Sequence, residues 1–544
     1  MECMNLSFDS SIDKFTFAAP DVLSTGEAIR AGMVWDSEKS LWTTARVEVA
    51  QALGRFADSA AKLALDGKAH DLKRNFLNSF AENAGIEIPK PDDQQYDYRP
   101  FQRAGIAYAL ERDGTYIADD MGLGKTIQTA GIINCLWERE WKLRIEGARV
   151  LIVSPASMKL NWRSELRAWM TAQMTYCVAR STDPWPLSDI VIINFDILHK
   201  FTKQLRAVEW DLIVVDEASN LRNSSTRRFK FFAPLVGRKR IALDGTPYPN
   251  GRPIEAFTVL HWLDPISWPD RACMARWKSR PSEDVPHLEE LQRKLRETVM
   301  VRREKEKVLP ELPAKIRQVI ELPSEGLRDL IEREKEEFRK KEFVILQLQH
   351  AMKEAREAND LGAYKAAVAA MRKAVGVLFH EMSKIRREVA LAKLPWVIQH
   401  IGNALQSGKV VVFAHHHEVL DAIHNAFQAK SVLFDGRTSF SKRHSAVEAF
   451  QHSPGVRLFV GGIIPAGVGI TLTAASHGIF AETDWVPGVL LQAEDRLHRI
   501  SQKNCVLIQH LVLEGSLDVN MIQRAIQKQL AIEKGLNISQ MPQG

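Results

Sequence analysis

The sequence predicts an α/β chain with two parallel-sheet lobes, separated by a helical stretch and preceded by a small α+β module. Three observations carry this. The β-branched runs Val150-Leu-Ile-Val, Ile190-Val-Ile-Ile and Leu212-Ile-Val-Val are short and wholly apolar, as strands buried on both faces must be. Each is followed by polar or turn residues and then a helical period, the texture of βαβ units. The same strand texture returns at Lys409–Phe413, Ser431–Phe434 and Arg457–Val460.

In chain order, residues 1–95 hold short amphipathic pieces and an Ala-rich helical stretch, Val47–Leu65, before the turn-rich Ile88-Pro-Lys-Pro-Asp. Trp35 and Trp42 flank an Asp-Ser-Glu-Lys turn and read as a hairpin whose rings pack on the helix that follows. Residues 96–265 form lobe one. Residues 266–394 read as helical insertions and an inter-lobe linker, because Glu325–Lys341 is dense in charge and Tyr364–Ala390 is Ala- and Met-rich at helical spacing. The methionines there, Met352, Met371 and Met382, are core packing. Residues 395–544 form lobe two.

Of 544 residues, 45% are hydrophobic and 26% charged, which excludes a disordered or collagenous chain. No apolar run approaches the roughly 18 residues of a membrane span, and Met1–Pro20 lacks the basic and apolar regions of a signal peptide. Five scattered cysteines, with no Cys-x-x-Cys pair, argue against a disulfide framework or structural zinc and favour a reducing compartment. The net charge of +6 permits a polyanionic partner without requiring one.

The sharpest local signal is Met121-Gly122-Leu123-Gly124-Lys125-Thr126. Its Gly-Lys-Thr ending is that of a phosphate-binding loop, in which backbone N–H groups cradle phosphates at a helix N-terminus. Lys125 would reach the β/γ-phosphates and Thr126 would hold Mg²⁺. Asp119 stands where the general pattern has its first glycine, and taken alone the segment also fits a glycine turn that happens to precede Lys-Thr. Downstream, Asp211-Leu-Ile-Val-Val-Asp216-Glu217 places two carboxylates at the C-terminal end of a buried strand, where α/β sheets put ligands. Asp216 is then a Mg²⁺ partner and Glu217 polarises the attacking water, although an acidic strand cap gives the same local pattern.

With these motifs in this order, the chain resembles the Swi/Snf-type helicase-like ATPases of superfamily two, over roughly Tyr98 to Leu536. Tyr98-Arg99-Pro-Phe-Gln102 is similar to the family's nucleotide-recognition motif. Ala118-Asp-Asp-Met-Gly-Leu-Gly-Lys-Thr-Ile-Gln128 is similar to its motif I, which opens on an acidic residue. Val153-Ser-Pro-Ala-Ser157 resembles motif Ia and Ile193-Asn-Phe-Asp196 motif Ib. In lobe two, Val411-Val-Phe-Ala-His-His416 resembles motif IV, Ala466-Gly-Val-Gly-Ile-Thr-Leu472 motif V, and Gln492-Ala-Glu-Asp-Arg-Leu-His-Arg-Ile-Ser-Gln502 motif VI. Val301-Arg-Arg303, Val308–Pro313 and Lys393 sit where the family joins its lobes. The wording is most similar to the annealing-helicase (HARP-type) branch, and residues 32–43 faintly resemble that branch's small module. Two positions depart from the family: its Asp-Glu-Ala-His box reads Asp216-Glu-Ala-Ser219, and motif III opens on Asp244 rather than Thr or Ser. Asp244 adds a charge near the Mg²⁺ carboxylates, unfavourable unless a base pairs with it.

The resemblance implies two RecA-like lobes and an ATP- and Mg²⁺-dependent hydrolase that translocates on duplex or branched DNA without sequence preference. The rival functions are a strand-separating DNA or RNA helicase, or a catalytically weak nucleic-acid-binding scaffold. Arg99, Gln102, the loop 121–126 and Gln492 would bind nucleotide. Arg496 and Arg499, projecting from one face of a helical 492–499 stretch, would be arginine fingers. Ser154, Ser157, Asn194, Arg222, Thr471 and Thr473 would contact the DNA backbone, with positive charge from Lys159, Arg163, Arg227, Arg228, Lys230 and Arg238–Arg240. His415-His-His417 follows a strand and has no carboxylate or cysteine cluster adjoining it, which argues against a metal there. The chain is expected to act as a monomer with no membrane partner, in a bacterial or phage-type cytoplasm near the nucleoid, or in the nucleus if eukaryotic.

Overall fold

A computed structural model describes residues 4–93, 96–277, 287–358, 360–466, 469–484 and 486–536. The chain divides into two compact units, residues 1–308 with 531–544, and residues 309–530. Within the first unit, a four-stranded antiparallel sheet comprises β1 (Asn5–Asp9), β2 (Lys14–Ala18), β3 (Val34–Asp36) and β4 (Leu41–Thr44), in the order β1-β2-β4-β3. The Trp35–Trp42 hairpin forms, with the two residues directly paired and their rings 5.4 Å apart. Trp42 packs on the small core, whereas Trp35 stays about half exposed. The expected Val47–Leu65 helix is broken. A short helix Val47–Ala52 gives way to a turn at Gly54, and Asp58 caps a new helix, Ser59–Asn78, by accepting from Ala61 N.

The first unit's large sheet is parallel throughout. Its strands are β5 (Gly114–Ile117), β6 (Val150–Ser154), β7 (Tyr176–Val178), β8 (Ile190–Asn194), β9 (Trp210–Asp216), β10 (Gly237–Leu243) and β11 (Met300–Val301), in the order β11-β5-β10-β9-β6-β8-β7. Alternate residues of each strand feed opposite cores. Leu151, Val153, Ile213 and Val215 pack on one face, and Val150, Ile152, Leu212 and Val214 on the other. Covering both faces is why these strands read as continuous apolar runs.

The second unit repeats the arrangement with β12 (Lys315–Leu322), β13 (Val410–Ala414), β14 (Ser431–Phe434), β15 (Leu458–Gly462), β16 (His477–Phe480) and β17 (Val506–Leu513), ordered β12-β17-β16-β13-β15-β14 and all parallel. Val410 and Val412 face one core, Val411 and Phe413 the other. Each unit is a RecA-like α/β lobe. Among the described residues, no helix is long and apolar enough to cross a membrane.

Residues 266–394 are not only helices and linker. β11 lies within that range yet completes the first sheet, and β12 forms an edge of the second. The expected helical character holds between them and the second lobe, as Arg328–Glu357 and Leu361–Ala392. β11 and the polar β12 escape a search for apolar runs because one is two residues long and the other has most of its side chains toward solvent.

Candidate nucleotide and nucleic-acid site

The loop 118–124 connects β5 to the helix Lys125–Leu136 and lies at the C-terminal edge of the first lobe's sheet. Gly124 adopts φ +78° as the helix N-cap, and a Cβ there would meet Gln102 Nε2 at 2.5 Å. Glycine is needed on both counts. Gln102 approaches because it spans two elements, accepting from the Arg99 N–H (3.0 Å) and donating to the Leu123 carbonyl (3.1 Å). Of the two residues expected to recognise nucleotide there, Gln102 is bonded directly to the loop and Arg99 reaches it through Gln102. Lys125 Nζ lies over the same loop, 2.7 Å from the Asp119 carbonyl and 3.3 Å from that of Asp120.

Asp119, the odd residue at the head of the loop, is wholly buried and meets three groups. Arg303 Nη1 is 3.3 Å from both carboxylate oxygens, the Arg303 N–H donates at 2.9 Å, and Gln128 Nε2 donates at 2.9 Å. Arg302 treats Asp120 likewise, donating to its carboxylate at 2.7 Å and to the carbonyls of Ala118 and Gly245. The two arginines, assigned from the sequence only to the join between lobes, brace the phosphate loop from the β11 edge. A glycine at 119 would leave Arg303 buried without a carboxylate.

Asp216 and Glu217 close β9 as expected. Asp216 Oδ2 accepts from Trp162 Nε1 at 2.8 Å and its Oδ1 from the Glu217 N–H at 3.0 Å. Burial pushes the Asp216 carboxyl above its usual range, opposed by the Trp162 hydrogen bond and the positive charge of Lys125. Glu217 sits at φ +51°, ψ +55°. That left-handed conformation costs a non-glycine residue roughly 1–2 kcal/mol and turns the chain sharply after the strand.

The two departures from the family pattern meet each other. Asp244 is buried at the end of β10 and accepts from the N–H groups of Ser219 and Thr246, each at 2.8 Å, and from the Ser219 hydroxyl. Burial raises its carboxyl too, with Lys125 acting in the opposite sense. No base forms an ion pair with Asp244 among the described residues. Three neutral donors and the field of Lys125 take that part. The Asp216 carboxylate and the Thr126 hydroxyl are hard oxygen donors, the kind that suits Mg²⁺.

In lobe two the helix runs Pro487–Glu494 and ends before the arginines. Residues 495–499 are turns, so the expected helical face carrying Arg496 and Arg499 is not formed. Arg496 is buried, with Nε donating to the Gln492 carbonyl at 3.0 Å. Arg499 is more open, donating from Nε to the Asp495 carbonyl and from Nη1 to Thr471 Oγ1 at 2.8 Å. Gly467 and Val468 of motif V lie outside the described residues. Carboxylates distant in sequence do adjoin the histidine run: the His415 and His416 N–H groups donate to Glu482 Oε2, His416 Nδ1 meets Oε1, and His417 Nδ1 meets Asp435. These pairings tie β13 to neighbouring loops, and no cluster of three or more metal-binding side chains occurs among the described residues.

The expected DNA contacts divide by exposure. Ser157 and Arg222 reach solvent, and Thr471 and Thr473 are partly open, with Thr473 Oγ1 bonded to Ser501. Ser154 is wholly buried, since the last residue of a central strand points inward here, and Asn194 is buried likewise. Neither offers an accessible donor. The Arg238–Arg240 run is strand β10: Lys239 donates to the Leu110 and Arg112 carbonyls and Arg240 to that of Trp262. It braces the lobe. Lys159 similarly donates to the Ala179 carbonyl. Arg163 and Lys230 are exposed, and Arg222, Arg227 and Arg228 line an open cavity of about 500 Å³ at the ends of β8 and β9.

Two family models match the chain. The helicase conserved C-terminal domain matches residues 392–501. A Xenopus tropicalis SWI/SNF-related matrix-associated actin-dependent regulator of chromatin subfamily A-like protein 1 is 34% identical over 490 residues, covering 82% of this chain and 47% of the relative. The Homo sapiens DNA annealing helicase and endonuclease ZRANB3 is 33% identical over 462 residues, covering 79% and 40%. The chain thus spans about half the length of the curated relatives it matches, or less. The solved Sulfolobus solfataricus SWI2/SNF2 ATPase core in complex with dsDNA is 22% identical, with TM-score 0.38, over 84% of this chain and 100% of that one. The SNF2-related domain matches residues 74–366, more than half of the chain, and the protein belongs to that family.

Proposed function

We propose that the chain is a DNA-dependent ATPase that couples hydrolysis to translocation on, and remodelling of, duplex or branched DNA. The observation that carries this is the convergence of Lys125 with Asp216 at the edge of one sheet, where the Lys125 charge acts on the buried carboxylate. The relatives named as an annealing helicase and a chromatin regulator support DNA as the substrate. Lys125 and the backbone N–H groups of residues 122–126 bind the β/γ-phosphates, and Gln102 with Arg99 shapes the loop that holds them. Thr126 and Asp216 would hold Mg²⁺, which would supply positive charge against the developing charge of the phosphoryl groups. Glu217 orients the attacking water and takes up its proton. Gln492, Arg496 and Arg499 belong to the same cycle, with Arg499 stabilising charge on the transferred phosphoryl group.

Ser157, Arg222, Thr471 and Thr473 contact backbone phosphates and carry no sequence information. The domain plan is an accessory module, lobe one, a helical connection and lobe two, with the lobe boundaries moved outward to include β11 and β12. The test is ATP hydrolysis by the full chain on duplex, forked and single-stranded DNA and on RNA, at two salt concentrations. Duplex or forked DNA should stimulate irrespective of base sequence, with stimulation falling steeply as salt rises, because phosphate contacts release counterions. RNA should stimulate less, since A-form geometry shifts the phosphate track. Equal stimulation by RNA, or unwinding of a long blunt duplex, would replace this function with that of a strand-separating helicase.

A further inference from the structure

The cavity at the ends of β8 and β9 shares a wall with the turn that carries Glu217. Asn220 forms that wall. Its Nδ2 donates to the Glu217 carbonyl at 2.9 Å, and its backbone N–H donates to the same oxygen at 3.0 Å. Its Oδ1 accepts from Arg228 Nη1 at 3.1 Å, while Arg228 Nε and Nη2 grip Asp196 Oδ1 at 3.1 and 2.8 Å. A chain of bonds therefore runs from Asp196, which lines the cavity, through Arg228 and Asn220 to the one residue of the β9 turn held in a left-handed conformation. A strained peptide keeps its geometry only while its surroundings fix it.

The chemistry of the opening points to an anion. Arg228 takes up the charge of Asp196. Arg222 and Arg227 remain exposed at the rim, and neither has a carboxylate partner among the described residues. Arg222 makes one long contact, to the Ser219 carbonyl at 3.4 Å, which ties it to the same turn. Two guanidinium groups over an open concavity suit a phosphodiester, which they can bind through paired N–H donors.

We propose that this cavity is a nucleic-acid sensor: a backbone phosphate of the bound strand docks on Arg222 and Arg227 and, through Asn220, fixes the Glu217 turn for hydrolysis. The proposal rests on the DNA-dependent ATPase activity given above and adds the residues by which nucleic acid governs it. Asn220 is a positioning residue, since it acts only through Glu217.

The experiment measures ATP hydrolysis by the full chain against the concentration of a mixed-sequence DNA duplex. Asn220→Asp is nearly isosteric and keeps the acceptor for Arg228, but it loses the N–H donated to Glu217. Its stimulated plateau should fall by about 10-fold or more, while the half-maximal duplex concentration stays within about 3-fold of the parent. Arg228→Lys, on the exposed side of the chain of bonds, should lower the plateau in the same way by about 3-fold. Arg227→Ala should do the reverse, raising the half-maximal concentration by about 10-fold while leaving the plateau within about 2-fold.

Thermal unfolding of each variant separates lost coupling from lost fold, and Arg228→Lys decides the matter if Asn220→Asp unfolds. A stimulated parent with parental plateaus in both Asn220→Asp and Arg228→Lys would overturn the sensor and leave the DNA-dependent activity standing. A parent that no nucleic acid stimulates would overturn both.

Discussion

Replacing Arg303 by Met tests whether the phosphate loop depends on the β11 edge. The side chain is 2% exposed and its partner Asp119 0% exposed, so the change strands a carboxylate where water cannot reach it. Breaking a buried pair from one side costs about 3–5 kcal/mol. The Ala81 carbonyl, which accepts from Arg303 Nε at 3.0 Å, loses a partner as well, adding about 1 kcal/mol. Asp119 keeps the Gln128 amide and the Arg303 backbone N–H, which places the total near the lower end of that range. Asp119→Asn in the same background removes the stranded charge and should recover at least about 2 kcal/mol, a coupling far from additive. Denaturant unfolding followed by the buried Trp162, Trp210, Trp268 and Trp277, all in the first unit, reads this out. Binding of a fluorescent ATP analogue should weaken in Arg303→Met and partly return in the double variant. An unfolding midpoint within about 1 kcal/mol of the parent, or strictly additive effects, would refute the bracing role.

Lys125→Ala should abolish hydrolysis and weaken nucleotide binding, whereas Glu217→Gln should bind ATP and not hydrolyse it, because Asp216 still holds the metal; parental turnover in Glu217→Gln would reassign the water-activating group. Arg499→Ala should leave nucleotide binding largely intact but cut turnover by about 10³-fold or more, as loss of an arginine finger does, and single-turnover assays would show it. In lobe two, hydrogen bonds from His416 and the His415 and His416 N–H groups hold the Glu482 carboxyl at about 2 although burial opposes this, so its stabilisation is present above pH 4.5 and lost as pH falls toward 2. Glu482→Gln should therefore be destabilised at neutral pH, by about 3 kcal/mol at most, and match the parent near pH 2. Glu334 behaves oppositely: burial lifts it to about 7, so its contribution is present below pH 4.5 and lost as pH rises through 7. Glu334→Gln should match the parent below pH 4.5 and gain on it as pH rises from 4.5 to 7, with no further gain above, and urea midpoints across pH 4–9 would show the rise.

How much was legible followed from whether a residue's partner was close in sequence. Apolar runs announced β6, β8, β9, β13, β14 and β15, because burial on two faces leaves no choice of side chain. β10 was missed because it opens with Arg238-Lys-Arg240, whose charges are satisfied by carbonyls of distant elements. β11 is too short to show a pattern. The phosphate loop and the Asp216-Glu217 pair were legible because both are local motifs. Their supports Arg302, Arg303 and Trp162 were not, since each acts across tens or hundreds of residues, and Asn220, whose partners are 3 and 8 positions away, belongs to no motif. The same limit hid a partner of the histidine run: Glu482 lies 66 positions from His416 and no local spacing reveals it. Exposure was the other blind spot, since Ser154 and Asn194 end strands in the expected places yet point inward.

The departures at Ser219 and Asp244 are one change written at two positions. A buried Asp at 244 alone would face the Asp216 carboxylate with too few donors, and a Ser at 219 alone would leave a short side chain with little to reach. Together the Ser219 N–H and hydroxyl supply the donors that Asp244 requires, and Asp244 fixes the turn that Glu217 opens. Lys125 acts on Asp244 of this pair as it does on Asp216, and ATP turnover is the measurement that separates a working site from a catalytically silent scaffold. The consequence is a strong non-additivity between the two sites. Ser219→Ala and Asp244→Asn should each lower DNA-stimulated turnover, whereas the double variant should lose little beyond the worse single one, because either change breaks the same link. Multiplying losses, measured as kcat at saturating duplex, would mean that the two residues act separately.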